Sequence, residues 1–114
     1  MEMFLLELVR TLISLGIESY TVDVSTGIIL YRRAEGETIL HMGTNKPGSI
    51  TESFDLSKTI QAVKDTQQGK TNYPEFINAI AHAGVRFYEA TLSGNNKRVN
   101  YIGYGGNYEE KISV

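Results

Sequence analysis

The chain has 114 residues, 11 of them basic and 13 acidic, a formal net charge of −2, and no cysteine. Disulfides, thiolate nucleophiles and cysteine-ligated zinc are therefore excluded, and no net charge draws the protein to nucleic-acid phosphates or anionic membranes. A hydrophobic content of 41% excludes wholesale disorder, and a chain of this length buries about 65% of its unfolded surface without needing a staple.

The opening stretch, "MEMFLLELVRTLISLG", places Leu5, Leu8, Leu12 and Leu15 at helical spacing. This predicts a helix over 3–15, stopped at Gly16, where a left-handed residue is cheap. Leu6, Val9 and Ile13 widen its apolar arc beyond one stripe, so more than one neighbour is expected. Glu7 and Arg10 interrupt any signal-sequence pattern, and the segment is too short and too charged to span a bilayer. The expectation is a soluble, cytoplasmic protein.

"ESYTVDV", residues 18–24, alternates. Tyr20, Val22 and Val24 point one way, and Ser19, Thr21 and Asp23 the other, as in a half-buried strand. "STG" turns the chain into "IILYRR", and "AEGE" turns it again into "TILHM", giving two more strands. Residues 43–53, "GTNKPGSITES", have the composition of a loop. Asp55 is placed to cap a helix carrying Leu56, Ile60, Val63 and Gln67 on one face and ending at Gly69. Asn72, Pro74 and Glu75 then spell a second helix start with a capping box. Tyr73, Phe76, Ile77, Ile80 and Ala81 form its stripe as far as Gly84. "RFYEATL", "RVNYIGY" and "YEEKISV" predict three further strands.

The chain echoes itself. Shifted by 68 positions, Gly16 falls on Gly84, Ile17 on Val85, Tyr20 on Tyr88 and Val24 on Leu92. With two residues inserted at "SGNNK", Ile29 falls on Val99 and Tyr31 on Tyr101. The predicted fold class is α+β, a two-layer α/β sandwich made of two pseudo-repeats, each a helix plus a three-stranded antiparallel meander. The expected organisation is a single domain over 1–114. Pseudo-repeat one is 1–42, a connector loop and helix are 43–70, and pseudo-repeat two is 71–114. Each copy has an apolar sheet face that one helix cannot cover, so two copies share a core.

The residues Gln68 and Gly69, Tyr73 and Phe76, Ala83 and Gly84, and Tyr88 and Tyr101 carry a resemblance. Their stretch, "YPEFINAIAHAGVRFYEATLSGNNKRVNYIGYGG", resembles the repeat of the YdfO-like (YbcV-like) family. That family comprises uncharacterised bacterial and prophage proteins, sometimes labelled phage envelope proteins. The resemblance covers nearly the whole chain and is firmest from Asp55 to Gly106. It implies a two-layer α/β fold and brings no reaction, ligand or catalytic residue. Family members often carry a further helix ahead of the first repeat, equivalent to residues 55–68. This chain starts at "MEMFLLELV", so the Leu6, Val9 and Ile13 edge is expected to lack that cover.

The sequence offers little chemistry. "GTNKPGS" has the glycine spacing of a phosphate loop, but Ser49 stands where the lysine must be. "GYGG", Gly103–Gly106, lacks the dinucleotide fingerprint and predicts a tight turn with Gly105 and Gly106 free to take positive φ. His41 and His82 fall on different elements, and nothing brings them to one metal or acid–base site. No G-x-S-x-G elbow is present. Of the 7 tyrosines, Tyr20, Tyr31, Tyr88 and Tyr101 obey the echo and are expected to face the core. Tyr104 and Tyr108, beside the last turn, are expected to be exposed.

Two readings follow. The first is a non-enzymatic binding or protein-interaction module, a prophage accessory protein, that forms a homodimer or takes a protein partner. Its contact surface is the outward sheet face, with Ile28, Leu30, Phe87 and Ile102 as the apolar centre and Arg32 and Glu89 setting orientation. The alternative is a small-molecule binder or enzyme with its site between the repeats, lined by Tyr20, Tyr31, Tyr88 and Tyr101 together with Arg32. No catalytic residue, metal or cofactor is assigned, and neither nucleic acid nor a membrane is an expected partner.

Overall fold

A computed structural model describes residues 3–44 and 46–113, and of residues 3–6 the backbone alone. The elements follow in chain order as α1 (Met3–Ser14), β1 (Ile17–Asp23), β2 (Ile28–Arg33), β3 (Thr38–Met42), α2 (Leu56–Gln67), α3 (Tyr73–His82), β4 (Val85–Thr91), β5 (Arg98–Gly103) and β6 (Gly106–Lys111). A short 3-10 turn, Ala34–Gly36, joins β2 to β3. The protein is a mixed α/β structure of three helices and one six-stranded antiparallel sheet, ordered β3-β2-β1-β4-β5-β6. Two meanders, β1-β2-β3 and β4-β5-β6, meet along the β1–β4 seam, where Thr21 lies opposite Glu89.

Local chemistry sets the boundaries. Asp55 accepts a hydrogen bond from the Lys58 N–H (3.0 Å) and starts α2. That bond and a second from the Ser57 hydroxyl (3.0 Å) hold its carboxyl below the usual aspartate range. At α3 the Asn72 side chain accepts from the Glu75 N–H, and the Glu75 carboxylate accepts from the Asn72 N–H, both at 2.9 Å. This reciprocal box satisfies two donors that the helix start would otherwise leave bare. Gly84, with φ +83°, closes the helix and swings the chain into β4.

The helices cover one sheet face. Val9 and Leu12 of α1, Ala62 and Val63 of α2, and Phe76 and Ile80 of α3 join Val22, Tyr88 and Val99 of the sheet, and Leu92 just beyond β4, in one core. The side chain of Leu6 lies outside the described residues. Val9 is buried and Ile13 partly so, packed against that core. The face of α2 differs from its sequence pattern. Thr59, Ala62, Val63 and Thr66 are buried, whereas Leu56 is 51% exposed. The apolar spacing of Leu56, Ile60 and Val63 pointed to a neighbouring stripe because two core positions are threonines. The Thr59 hydroxyl hides its polarity by donating to the Asp55 carbonyl at 2.8 Å.

The connector is pinned to the end of α3. Thr51 N–H donates to the Ala81 carbonyl (3.0 Å) and Asp55 N–H to the Ala83 carbonyl (2.8 Å), while Phe54 N–H reaches the Tyr104 carbonyl (3.2 Å). The Phe54 ring lies over the β5–β6 turn. Gly105 takes positive φ there, as expected, but Gly106 does not. Gly106 is needed for proximity instead, because a Cβ there would come within 2.7 Å of the Phe54 ring.

Candidate functional site

Strand alternation puts a tyrosine from each of five adjacent strands on the helix-facing side. Tyr31 pairs with Tyr20 across β2–β1, Tyr88 with Tyr101 across β4–β5, and Tyr101 with Tyr108 across β5–β6. Tyr20 and Tyr88 meet diagonally over the seam, with ring centroids 6.4 Å apart and near-perpendicular planes. The other neighbours lie at 5.7 Å for Tyr20–Tyr31, 5.3 Å for Tyr88–Tyr101 and 6.2 Å for Tyr101–Tyr108. Phe76 of α3 stands edge-on to both Tyr88 and Tyr101, 6.2 Å from each. Such pairs each contribute about 0.5–1.5 kcal/mol beyond their buried area.

This aromatic floor is not fully covered. A cavity of about 230 Å³ lies between it and the helices. Tyr20, Tyr31, Tyr88 and Tyr101 all line it, so the four tyrosines of the alternative reading are brought together. Leu8, Val9 and Leu12 of α1 form one wall, and Tyr73 and Phe76 of α3 another. Val99, Ile112, Thr66 and Glu110 close the β5–β6 side. Leu8, 40% exposed, stands at the rim.

The polar groups are few and close together. The Tyr73 and Tyr88 hydroxyls are 3.4 Å apart. Burial raises the phenols of Tyr20, Tyr31, Tyr73, Tyr88 and Tyr101 above the ordinary tyrosine value, so each is a neutral hydroxyl at physiological pH. Burial also raises the Glu110 carboxyl, against the opposing hydrogen bond from the Gln67 amide. Desolvation disfavours the charged form in every case.

Sequence reasoning missed Glu110, Thr66 and the inward side of Tyr108. Tyr108 is part-buried and stacked on Tyr101 with planes 14° apart, not exposed. The signal was present in "YEEKI", whose alternation puts Tyr108, Glu110 and Ile112 on one face. Tyr104 is 63% exposed, and the Arg86 guanidinium lies 4.0 Å over its ring.

The opposite sheet face holds the other expected set. Phe87 lies across from Ile102, Thr21 from Leu30, and Glu89 from Asn100. Arg32 and Glu89 approach to 3.6 Å, and Glu89 also accepts from the Thr21 hydroxyl at 3.3 Å. Ile28, Leu30, Arg32, Phe87, Glu89 and Ile102 thus share one surface. Two members were missed. Leu40 and Met42 of β3 pair with Leu30 and Ile28 and are 60% and 65% exposed.

His41 and His82 are both exposed, on β3 and α3. Among the described residues, no group of three or more His, Asp or Glu side chains is placed to hold a metal ion. No helix among them is long and apolar enough to cross a membrane.

Fold and site together define a class: an antiparallel α+β protein carrying an aromatic cavity between its helices and its sheet. Within that class the chain belongs to the family described as "Protein of unknown function (DUF1398)", which matches residues 4–108. No curated protein matches the chain.

Proposed function

We propose that the protein binds a small, largely apolar molecule in the cavity between sheet and helices. The observation that carries this reading is the convergence of Tyr20, Tyr31, Tyr88 and Tyr101 on one space of about 230 Å³. Ligand sites are concave and mainly apolar, with a few placed polar groups, and this one is at the small end of their range. An apolar cavity of about 150 Å³ already admits benzene. The space here therefore suits a single ring with a small substituent.

The cavity gains sense from a two-repeat, two-layer single domain, with copies at 1–42 and 71–114 joined by 43–70. Several features support that organisation. The seam pairs Tyr20 with Ala90 and Val22 with Tyr88, and a shift of 68 positions exchanges these two pairs. A register break follows the start of β1 and of β4, between Ile17 and Ser19 and between Val85 and Phe87. Each copy then contributes two tyrosines, and the cavity straddles the internal axis. The narrower YdfO-like attribution and a prophage role rest on the sequence resemblance alone.

The test uses toluene as probe, followed through the NMR signals of the tyrosine rings. Val99→Phe should push a ring into the space, keep the folded spectrum, and abolish toluene-induced shifts. Wild-type protein that shows no shifts, or a variant that still binds, would refute a ligand cavity.

A second reading is favoured by Phe87, Leu40 and Met42, exposed on the helix-free face. An open apolar sheet face marks a contact surface for a second copy or a protein partner. Phe87→Asp is expected to halve the solution mass of a dimer or to abolish capture of a partner. Unchanged mass and partners would remove this surface from consideration.

A further inference from the structure

The cavity has an uneven chemistry that narrows its ligand. We infer that it selects small lipophilic organic cations, such as an aryl-substituted quaternary ammonium, over neutral and anionic molecules of the same shape. The inference rests on the ligand-cavity reading above and adds the sign of the ligand's charge.

Three observations carry it. First, the lining is ring-dense. Tyr20, Tyr31, Tyr73, Tyr88 and Tyr101, with Phe76, surround the space. Aromatic faces carry negative partial charge and attract an ammonium within about 6 Å of a ring centroid. The floor rings are spaced at 5.3–6.4 Å, so a cation resting on them is in range of more than one. Second, the single ionisable carboxyl in the lining is Glu110, while no Lys, Arg or His lines the cavity among the described residues. An anionic ligand would meet the Glu110 carboxyl with no Lys, Arg or His side chain among the described lining residues to pair with it, and burying an unpaired charge is costly. Third, the phenols offer neutral hydroxyls, and among the described lining residues no second carboxyl competes with Glu110 for the cation. Quaternary ammonium ions suit such a box because they donate no hydrogen bonds and are cheaply desolvated.

Volume limits the ligand. About 230 Å³ is somewhat more than the roughly 150 Å³ of an apolar cavity that admits benzene. One aromatic ring with a compact cationic head is of that order.

The deciding experiment compares three probes by calorimetry and by tyrosine-ring NMR shifts. They are benzyltrimethylammonium, its uncharged carbon isostere neopentylbenzene, and phenylacetate. The cation is expected to bind at least about tenfold more tightly than the isostere, a difference of ~1.4 kcal/mol, and phenylacetate most weakly. Glu110→Gln should reduce the cation's advantage severalfold and leave neopentylbenzene affinity unchanged. If the isostere or phenylacetate binds as tightly as the cation, the charge inference falls while the cavity reading survives. If none of the three moves the tyrosine signals of the wild-type protein, both fall. If the cation wins but Glu110→Gln changes nothing, the assignment of the counter-charge to Glu110 is overturned.

Discussion

Gly84→Ala is expected to destabilise the protein by roughly 2–5 kcal/mol, the sum of two independent effects. Gly84 sits at φ +83° between α3 and β4, a backbone region that costs an L side chain about 1–2 kcal/mol. Space is the second effect. A Cβ there would collide with the Ser53 carbonyl oxygen and lie 2.9 Å from the Phe54 Cα. Both are backbone atoms, and the connector they belong to is tied down by hydrogen bonds from Thr51, Phe54 and Asp55. Forcing such packing apart typically costs about 1–3 kcal/mol. Against a total stability of about 5–15 kcal/mol, the loss is large. Gly94 supplies the control. Its φ is +78°, yet an added Cβ meets nothing within 4 Å. Thermal unfolding of the two variants separates the effects, because Gly94→Ala should show the conformational part alone. Equal losses of melting temperature in both would mean that the connector is not clamped under the end of α3.

The second large effect is unfolding in alkali. Tyr88 and Tyr101 are buried, and desolvation holds both phenols well above the ordinary tyrosine value. Below about pH 10 the phenols are protonated in both folded and unfolded chains, and the stabilisation is fully present. Above it the unfolded chain releases protons that the folded chain retains, so stability falls as pH rises. Each buried phenol contributes ~1.36 kcal/mol per pH unit in that window, and the pair about 2.7. Tyr20 and Tyr73, also raised by burial, steepen the fall. Tyrosinate absorbance is therefore expected to rise together with loss of helical circular dichroism, in one step. Tyr88→Phe should make the pH dependence shallower by one proton. Tyrosinates that form at the ordinary value in a still-folded protein would contradict the burial of the ladder.

Much of this was legible in the sequence. Strand alternation around Tyr20 and Tyr88 gave the faces of the central strands, and "TNYPE" gave the start of α3, because both signals are local. The face of α2 was misread because Thr59 and Thr66 are polar by type, while Thr59 discharges its hydroxyl on its own helix. Gly106 was assigned a turn conformation because composition cannot show that Phe54, 52 positions earlier, rests on it. Glu110 was overlooked for a similar reason. A glutamate in a strand reads as solvent-facing until a helix, here carrying Gln67, is laid above it. The four cavity tyrosines were picked out by the echo, but whether they filled a core or floored a space depended on helix placement, which no short pattern encodes.

The β1–β4 seam has a consequence for how the chain reaches this structure. β1 pairs with β2, β2 with β3, β4 with β5 and β5 with β6 across short connections, but Thr21 finds Glu89 only across 68 residues. Closing that loop costs entropy before any contact repays it, whereas hairpins form in microseconds. The two meanders are thus fast local events, and their union is the slow, rate-setting one. Val22 and Tyr88 sit on that seam, so truncating either is expected to slow folding. Truncating Ile39 on the outer strand should chiefly speed unfolding, and the reverse pattern in stopped-flow kinetics would place the barrier within a meander.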